Sequence, residues 1–208
     1  MKVKHLLIVA LMMSMSLWAL ADDGLGGKNV QISVIPFGYQ NTTYYTNESA
    51  NYELHYGSKF GFSLGYEFAM GRTNSLVELT YIRSKYDRVD MYGDNCQTAR
   101  DYEHFKDLSS FALMYYAGWT IFPNKRFQIP FYIGLGPEIL QGYPFHNLMF
   151  DFGAKLRFKF YVSNRVGLFV GATGKYGFGM TGDTKKKNLD MHHHGTVNLD
   201  AGVTILFN

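Results

Sequence analysis

The stretch Asp151-Phe-Gly-Ala-Lys-Leu-Arg-Phe-Lys-Phe-Tyr-Val162 has a basic residue at every second position of its centre. These basic residues are Lys155, Arg157 and Lys159, and large apolar residues separate them. A helix would spread the charges around its circumference, whereas a strand points alternate side chains to opposite faces. The pattern therefore predicts a strand with one charged face and one apolar face. Whether water or lipid surrounds the outer face decides between a soluble fold and a membrane fold.

The same period of two occurs in eight segments of the chain. The predicted strands are residues 29–40, 59–69, 75–84, 109–122, 126–136, 148–162, 165–175 and 196–207. Within 59–69, large apolar residues alternate with Gly61, Ser63, Gly65 and Glu67. A closed barrel of eight strands is just wide enough inside for side chains to fill it, so small and polar residues suit the interior. The large apolar face then points outward, which requires lipid around the barrel.

The connections between these segments alternate strictly between short and long. Short turns rich in Gly, Pro, Asn and Ser occur at residues 70–74, 123–125 and 163–164. The four long connections are residues 41–58, 85–108, 137–147 and 176–195. Short periplasmic turns and long external loops are typical of transmembrane barrels. The sequence therefore predicts an all-β fold, an eight-stranded antiparallel up-and-down transmembrane β-barrel with four long external loops.

The N-terminus has the features of a secretory signal. Two lysines precede an apolar run over residues 6–20, which ends in the small-x-small site Ala19-Leu20-Ala21. The run is shorter than the roughly 20 residues that a spanning helix needs, so an N-terminal membrane helix is disfavoured. We predict a signal peptide at residues 1–21 and one barrel domain at residues 22–208.

Charge and cysteine content exclude other classes of protein. Residues 1–21 hold two lysines and no acids, which leaves 18 basic and 17 acidic residues in the rest of the chain. This balance gives no argument for a nucleic-acid partner. Cys96 is the only cysteine, so an internal disulfide is excluded, and a loop cysteine without a role is favoured over a reactive thiol.

On these residues the chain resembles the small eight-stranded outer-membrane barrels of the OmpA/OmpX type, over essentially all of residues 22–208. The last segment ends on Phe207, which is similar to the family's assembly signal, although Asn208 follows it. The resemblance implies a location in the bacterial outer membrane. It implies contacts with outer-membrane lipid, lipopolysaccharide and the assembly machinery, with no nucleic acid, no cofactor and a monomeric state. No residue-specific functional motif accompanies it, and fold does not imply function.

Candidate catalytic residues are few. Ser109 and Ser110 lie near His104 and Asp107 in the sequence, at the outer start of the fourth segment. Some barrels of similar architecture modify lipid A with a His, a Ser and an acid placed for nucleophilic catalysis. Loop polarity is the favoured interpretation, because the sequence does not show the geometry.

Two external segments invite a binding interpretation. In Met191-His-His-His-Gly195, His192 and His194 could share one face of an extended chain and bind a metal, but a second pair of ligands is not evident. Lys185–Lys187 could meet anionic lipopolysaccharide. A solvated polar loop and a solvated charge run are the favoured interpretations, so no metal site is predicted.

Three classes of function remain for such a barrel. The favoured class is a non-enzymatic structural or surface-interaction protein of the outer membrane. The alternatives are a lipid A-modifying barrel enzyme and a narrow pore, and a filled lumen argues against a wide channel. A soluble ligand-binding barrel would need a polar outer face, which the segments 59–69 and 148–162 do not offer.

The charged face of the opening stretch also predicts an interior arrangement. Glu67, Glu78, Arg157 and Lys159 lie at similar distances from the short turns, so all four should occupy the periplasmic half of the lumen. A buried carboxylate without a partner is costly. We therefore expect these four side chains to form an ion-pair network that fills and closes the lower lumen.

Overall fold

A computed structural model of the chain describes residues 26–45, 51–92, 107–123, 126–142, 145–182 and 189–207. The strands are β1 Gly26–Tyr45, β2 Asn51–Met70, β3 Thr73–Tyr92, β4 Leu108–Ile121, β5 Phe127–Gly142, β6 Phe145–Tyr161, β7 Val166–Gly182 and β8 Leu189–Phe207. Each pairs antiparallel with the next, and β8 pairs with β1 to close a barrel. The predicted fold is confirmed. The predicted signal peptide and Cys96 lie outside the described residues.

The two faces of the wall are used as the sequence predicts. On β6, Lys155, Arg157 and Lys159 point inward and are at most 3% exposed, whereas Phe158 and Phe160 point outward and are 44% and 51% exposed. Large apolar side chains form a continuous outer band, which we call the belt. Its members include Ile32, Val34, Phe62, Leu64, Val77, Leu79, Leu113, Trp119, Ile133, Leu135, Phe152, Phe158, Leu168, Val170, Val203 and Ile205.

No α-helix in the described part of the chain is long and apolar enough to cross a membrane. The wall is instead a closed ladder in which neighbouring strands satisfy each other's backbone groups, as lipid surroundings require. The short turns at residues 71–72 and 162–165 lie at one end, together with residues 122–123 and 126 between β4 and β5, and we call the opposite end the outer end.

The strands are longer than the sequence predicts, and the four long loops are correspondingly shorter. Strands β1, β2 and β3 each have 20 residues. At the outer end, residues 46–50, 93–107, 143–144 and 183–188 are all that lie between strands. The backbone ladder continues there because its hydrogen bonds do not depend on which side chains are apolar. The predicted extents 41–58, 85–108, 137–147 and 176–195 are therefore wrong.

The polarity of the wall inverts in these extensions. On β2 and β3 beyond the belt, apolar residues point into the interior and charged residues point outward. We call the interior cluster the apolar cap, and its members are Leu54, Tyr56, Leu108, Leu140 and Met149, with Tyr86 and Val89 packed against it. On the outside at the same level, Lys59, Arg83 and Lys85 are exposed. At β2 and β3 the outer section thus has the arrangement of a barrel in water, with its apolar residues inside.

Candidate functional site

The lumen holds the predicted residues, and all four are buried. Glu67, Glu78, Arg157 and Lys159 point inward from β2, β3 and β6. They do so because strand alternation puts residues 67, 157 and 159 on the face opposite the belt. The structure brings them together as two ion-paired groups, one above the other, rather than as a single ring.

The lower group centres on Glu67. Its carboxylate is ion-paired with Lys159 and accepts a hydrogen bond from the Tyr132 hydroxyl. Asn74 Nδ2 also donates to Glu67 Oε1 at 2.9 Å, and the amide of Gln31 donates to Oε2. A carboxylate with this many donors is held ionised in the absence of bulk water.

The middle group centres on Arg157. Its Nη2 lies 2.7 Å from Glu78 Oε2 and 2.7 Å from Asp200 Oδ2, and its Nε donates to the same Asp200 oxygen at 3.1 Å. Lys155 is ion-paired with the other oxygen of Glu78. The guanidinium lies 4.4 Å from the ring centre of Phe169, a cation–π contact.

Two members of this group were missed by the sequence prediction. Lys155 lies on the same inward face as Arg157 and was named only as part of the pattern. Asp200 occupies an inward position of β8, and Gly171 leaves room beside it, because a Cβ at Gly171 would lie 2.7 Å from both Arg157 Cγ and Asp200 Oδ1. Gln31 joins the groups by accepting from Arg157 and donating to Glu67.

A third, upper group contains residues that the sequence prediction placed in loops or left unassigned. Lys175 Nζ lies 2.9 Å from Glu138 Oε2 and 3.0 Å from Asp151 Oδ2. His194 Nε2 lies 3.7 Å from the same Glu138 oxygen, and His194 also bonds Thr42. Two carboxyl groups therefore share one ammonium, which leaves an excess negative charge unless a proton is bound.

Between the middle and upper groups is a void of about 10 Å³, room for about one water molecule. Glu78, Lys155, Lys175 and Asp200 are among its lining residues. The apolar cap packs in the interior of the outer section. In the described part of the chain, charged or apolar side chains thus occupy the interior at the levels of all three groups and of the cap.

The candidate catalytic serines point to opposite sides of the wall. Ser110 is buried in the lumen and accepts a hydrogen bond from Gln40 Nε2 at 3.4 Å. Asp107 lies on the outside, 2.5 Å from Lys59 Nζ and 3.7 Å from Arg83 Nη2. His104 lies outside the described residues. The structure thus does not bring Ser110 and Asp107 together.

The histidine segment is part of strand β8 rather than a loop. His194 points into the lumen, while His193 points outward and its ring stacks on Tyr176. Neither the side chain of His192 nor Lys185–Lys187 is among the described parts. In the parts that are described, no group of three or more His, Cys, Asp or Glu residues is placed to hold a metal ion.

Comparisons with known proteins agree with this architecture. A family model described as "Domain of unknown function (DUF2715)" matches residues 26–207. No curated protein sequence matches the chain. Neisserial surface protein A is similar in structure, with a TM-score of 0.53 and 12% identity over 86% of this chain and 97% of that one. The outer membrane protein OprG from Pseudomonas aeruginosa also has a TM-score of 0.53, with 10% identity over 88% of this chain and 96% of its own.

At these identities the similarity shows the fold alone. Together with the exposed apolar belt, which only lipid can cover, it confirms the predicted resemblance to small outer-membrane barrels and the predicted outer-membrane location. The narrower OmpA-like assignment stays a prediction.

Proposed function

The chain belongs to the DUF2715 family, and from the geometry of its lumen we propose that it is a sealed outer-membrane barrel with a structural or surface-interaction role. The single observation that carries this proposal is the filled interior. Three ion-paired groups and the apolar cap occupy successive levels, and the void between them has room for about one water molecule. Such an interior favours a closed barrel over the alternative of a narrow pore.

The outer section supports a role at the cell surface. A strand of 20 residues that rises about 3.4 Å per residue and is tilted by about 40° reaches about 50 Å along the barrel axis. An apolar belt is only about 25 Å tall. Strands β1, β2 and β3 therefore extend well beyond the bilayer, and their outer faces present Lys85, Asp87 and Arg88 to water.

Conductance across planar bilayers tests the sealed barrel. Insertion is verified first by the β-sheet signal in circular dichroism and by protection of the belt from protease. We expect no protein-dependent conductance steps above the bare bilayer. Reproducible steps that scale with inserted protein would contradict the proposal and favour the pore.

Cysteine labelling tests the orientation of the barrel. In a Cys96→Ser background, Lys85→Cys lies on the outer section and Arg165→Cys lies in a short turn. A membrane-impermeant maleimide on intact cells should label Lys85→Cys and spare Arg165→Cys until the outer membrane is opened. The reverse pattern would invert the topology.

The enzyme alternative has its own test. We expect the mass spectrum of lipid A to be unchanged between cells with and without the protein. A mass change that disappears in Ser109→Ala, on the outer side of the wall, but persists in Ser110→Ala, buried in the lumen, would establish the lipid-modifying activity instead.

A further inference from the structure

The charges inside the barrel do not balance. Among the described residues, five carboxyl groups are buried in the lumen, against four ammonium and guanidinium groups. The lower group pairs Glu67 with Lys159, and the middle group has two acids and two bases. The upper group has two acids, Glu138 and Asp151, and one base, Lys175. The excess negative charge of the lumen therefore lies in the upper group.

Each carboxyl group of the upper group has one oxygen on the ammonium and one oxygen without a donor. Glu138 Oε2 and Asp151 Oδ2 lie 2.9 and 3.0 Å from Lys175 Nζ. Glu138 Oε1 and Asp151 Oδ1 are buried and have no hydrogen-bond partner. The two carboxyl groups also lie within hydrogen-bonding reach of each other. Two ionised carboxylates at this separation repel each other, and a buried charge without a partner is costly.

A bound proton supplies both the missing positive charge and the missing donor. A protonated carboxyl group donates a hydrogen bond, so it can bond an oxygen of the other carboxyl group. When two carboxyl groups share one site, one of them keeps its proton. A metal ion needs space between its ligands, and neither Glu138 nor Asp151 lines the void between the middle and upper groups. A proton needs no such space.

The imidazole of His194 is the other titratable group in the upper group. Its Nε2 lies 3.7 Å from Glu138 Oε2. Its Nδ1 lies 2.9 Å from Thr42 Oγ1, and its Nε2 lies 2.8 Å from Thr196 Oγ1. A threonine hydroxyl can donate or accept, so these two partners satisfy a neutral ring. The ring is therefore not required as the carrier of the proton.

The neighbouring strands do not supply the missing charge. The other charged or titratable side chains that face the upper group come from β3, β4, β6 and β8, and they are Glu78, Tyr116, Lys155 and Asp200. Glu78, Lys155 and Asp200 belong to the middle group, whose charges balance. The phenol of Tyr116 is uncharged at neutral pH. Strands β1 and β2 contribute the neutral side chains of Thr42 and Ser63.

We propose that the upper group is a proton-binding site, in which Glu138 and Asp151 share one exchangeable proton at neutral pH. The proton balances the charge of the lumen and provides the donor that the unpaired oxygens lack. It leaves as the pH rises, and the site then holds a buried negative charge without a partner. This inference goes beyond the proposed function, because a sealed barrel does not require a titratable site.

Infrared spectroscopy tests for the proton directly. The full barrel is folded in micelles of a detergent without ester or carboxyl groups, so that the C=O stretch of a protonated carboxyl group is visible. At neutral pH we expect one such band, which shifts in D₂O and disappears as the pH is raised. Asp151→Asn and Glu138→Gln should each abolish it, because Lys175 balances a single carboxylate. The matched control Glu53→Gln changes a partly exposed carboxylate and should leave the band unchanged.

The pH dependence of stability provides a second measurement. Ordinary carboxyl groups are ionised at neutral pH, so the unfolded chain does not hold this proton and unfolding releases it. Stability should therefore fall as the pH rises, until the pH passes the value at which the infrared band disappears. Between about pH 6 and that value, the unfolding equilibrium constant should rise about tenfold per pH unit relative to that of Asp151→Asn. Urea titrations of the two proteins give this ratio.

Three results would overturn the proposal. The first is the absence of the band in a folded barrel that does not conduct, which would leave the sealed barrel intact. The second is a band that survives both Asp151→Asn and Glu138→Gln, with the fold of each variant verified by circular dichroism. The third is a pH dependence that occurs without the band and is lost in His194→Gln, which would place the proton on the imidazole.

Discussion

The belt and the outer section belong to the same strands but use opposite faces of the wall. On β2, Phe62 and Leu64 are exposed in the belt, whereas Leu54 and Tyr56, farther out, are buried. Between the two regions the register of β2 with β3 shifts between Ser58 and Phe60, and this bulge reverses which residues of β2 point inward. One strand can therefore present apolar residues to lipid in one region and to the interior in the next. Lipid requires an apolar outside and permits a charged inside, and water requires the reverse.

The two regions are therefore stabilised by different interactions. Inside the belt, buried charges are held by partners, and losing one partner leaves the other uncompensated. Inside the outer section, stability comes from buried apolar area and close packing. Matched substitutions in the two regions test this contrast.

The largest effect is expected inside the belt at the Glu67–Lys159 pair. Glu67→Gln leaves a buried ammonium unpaired, and Lys159→Met leaves a buried carboxylate unpaired. Each should lower the free energy of unfolding by about 3–5 kcal/mol if the site excludes water. Urea titration of the barrel in lipid vesicles measures this change.

The double variant provides the control for this pair. Removing both charges leaves no unpaired ion, so it should cost less than the sum of the single changes. Strictly additive costs would mean that the two side chains do not act as a pair, and the lumen network would lose its energetic basis.

The apolar cap should respond to loss of volume. Leu54 is fully buried, so Leu54→Ala should cost about 2–5 kcal/mol through lost burial and the cavity left behind. Leu64 is half exposed to the bilayer, where lipid can fill the space, so Leu64→Ala should cost clearly less. Both are compared by urea titration, and equal costs would contradict the inversion of faces.

The same contrast can be tested on β3 by adding a charge to the belt and by removing a charge from the outer section. Leu79→Arg places a charge in the belt and should cost about 2–4 kcal/mol at the bilayer midplane, as should Leu64→Arg on β2. Arg83→Leu, four residues farther out, should stay within about 0.5 kcal/mol because Arg83 is exposed to water. A large stabilisation by Arg83→Leu would place the belt higher on the barrel.

The contrast also explains which features the sequence could predict. The belt has a clean period of two, so the strand order and both faces of β6 followed from the pattern alone. On β2 the bulge between Ser58 and Phe60 turns the apolar residues from the outer face to the inner one, so the simple alternation breaks within one strand. Residues 51–58 therefore resembled a loop.

Because the outer extensions of the strands were predicted as loops, the upper ion-paired group of the lumen was not predicted. Glu138 and His194 fall within the segments 137–147 and 176–195, which were assigned to loops, so their inward direction was not considered. The residues of the lower pairs could be predicted from the sequence because they lie on the inward face of strands with a regular alternation. Pro36 was the available signal for the shift in register between β1 and β8 at residues 34–37, since a proline inside a strand indicates a bulge.

The upper group should behave differently from the lower pair. Glu138 and Asp151 are both ion-paired with Lys175, so either carboxylate alone can neutralise its ammonium. Asp151→Asn and Glu138→Gln should each cost about 1 kcal/mol or less, and the double variant should cost more than their sum because Lys175 is then unpaired. Urea titration of all three variants measures the coupling, and costs as large as those at Glu67 would contradict the sharing of one ammonium.

The smallest effect is expected at the exposed Lys59–Asp107 pair of the outer section. The hydrogen bond from the Lys59 ammonium lowers the pKa of Asp107 from its ordinary value of 3.8. Because the folded pKa is lowered, the stabilisation is present above the ordinary value and is lost as the pH falls through the lowered one. Solvent screens the pair, so its coupling in the cycle of Lys59→Gln and Asp107→Asn should be about 0–1 kcal/mol at neutral pH. It should shrink further in high salt. A coupling energy that is unchanged at low pH and in high salt would mean that the pair is shielded from water. The outer section would then be covered at that level by something other than solvent.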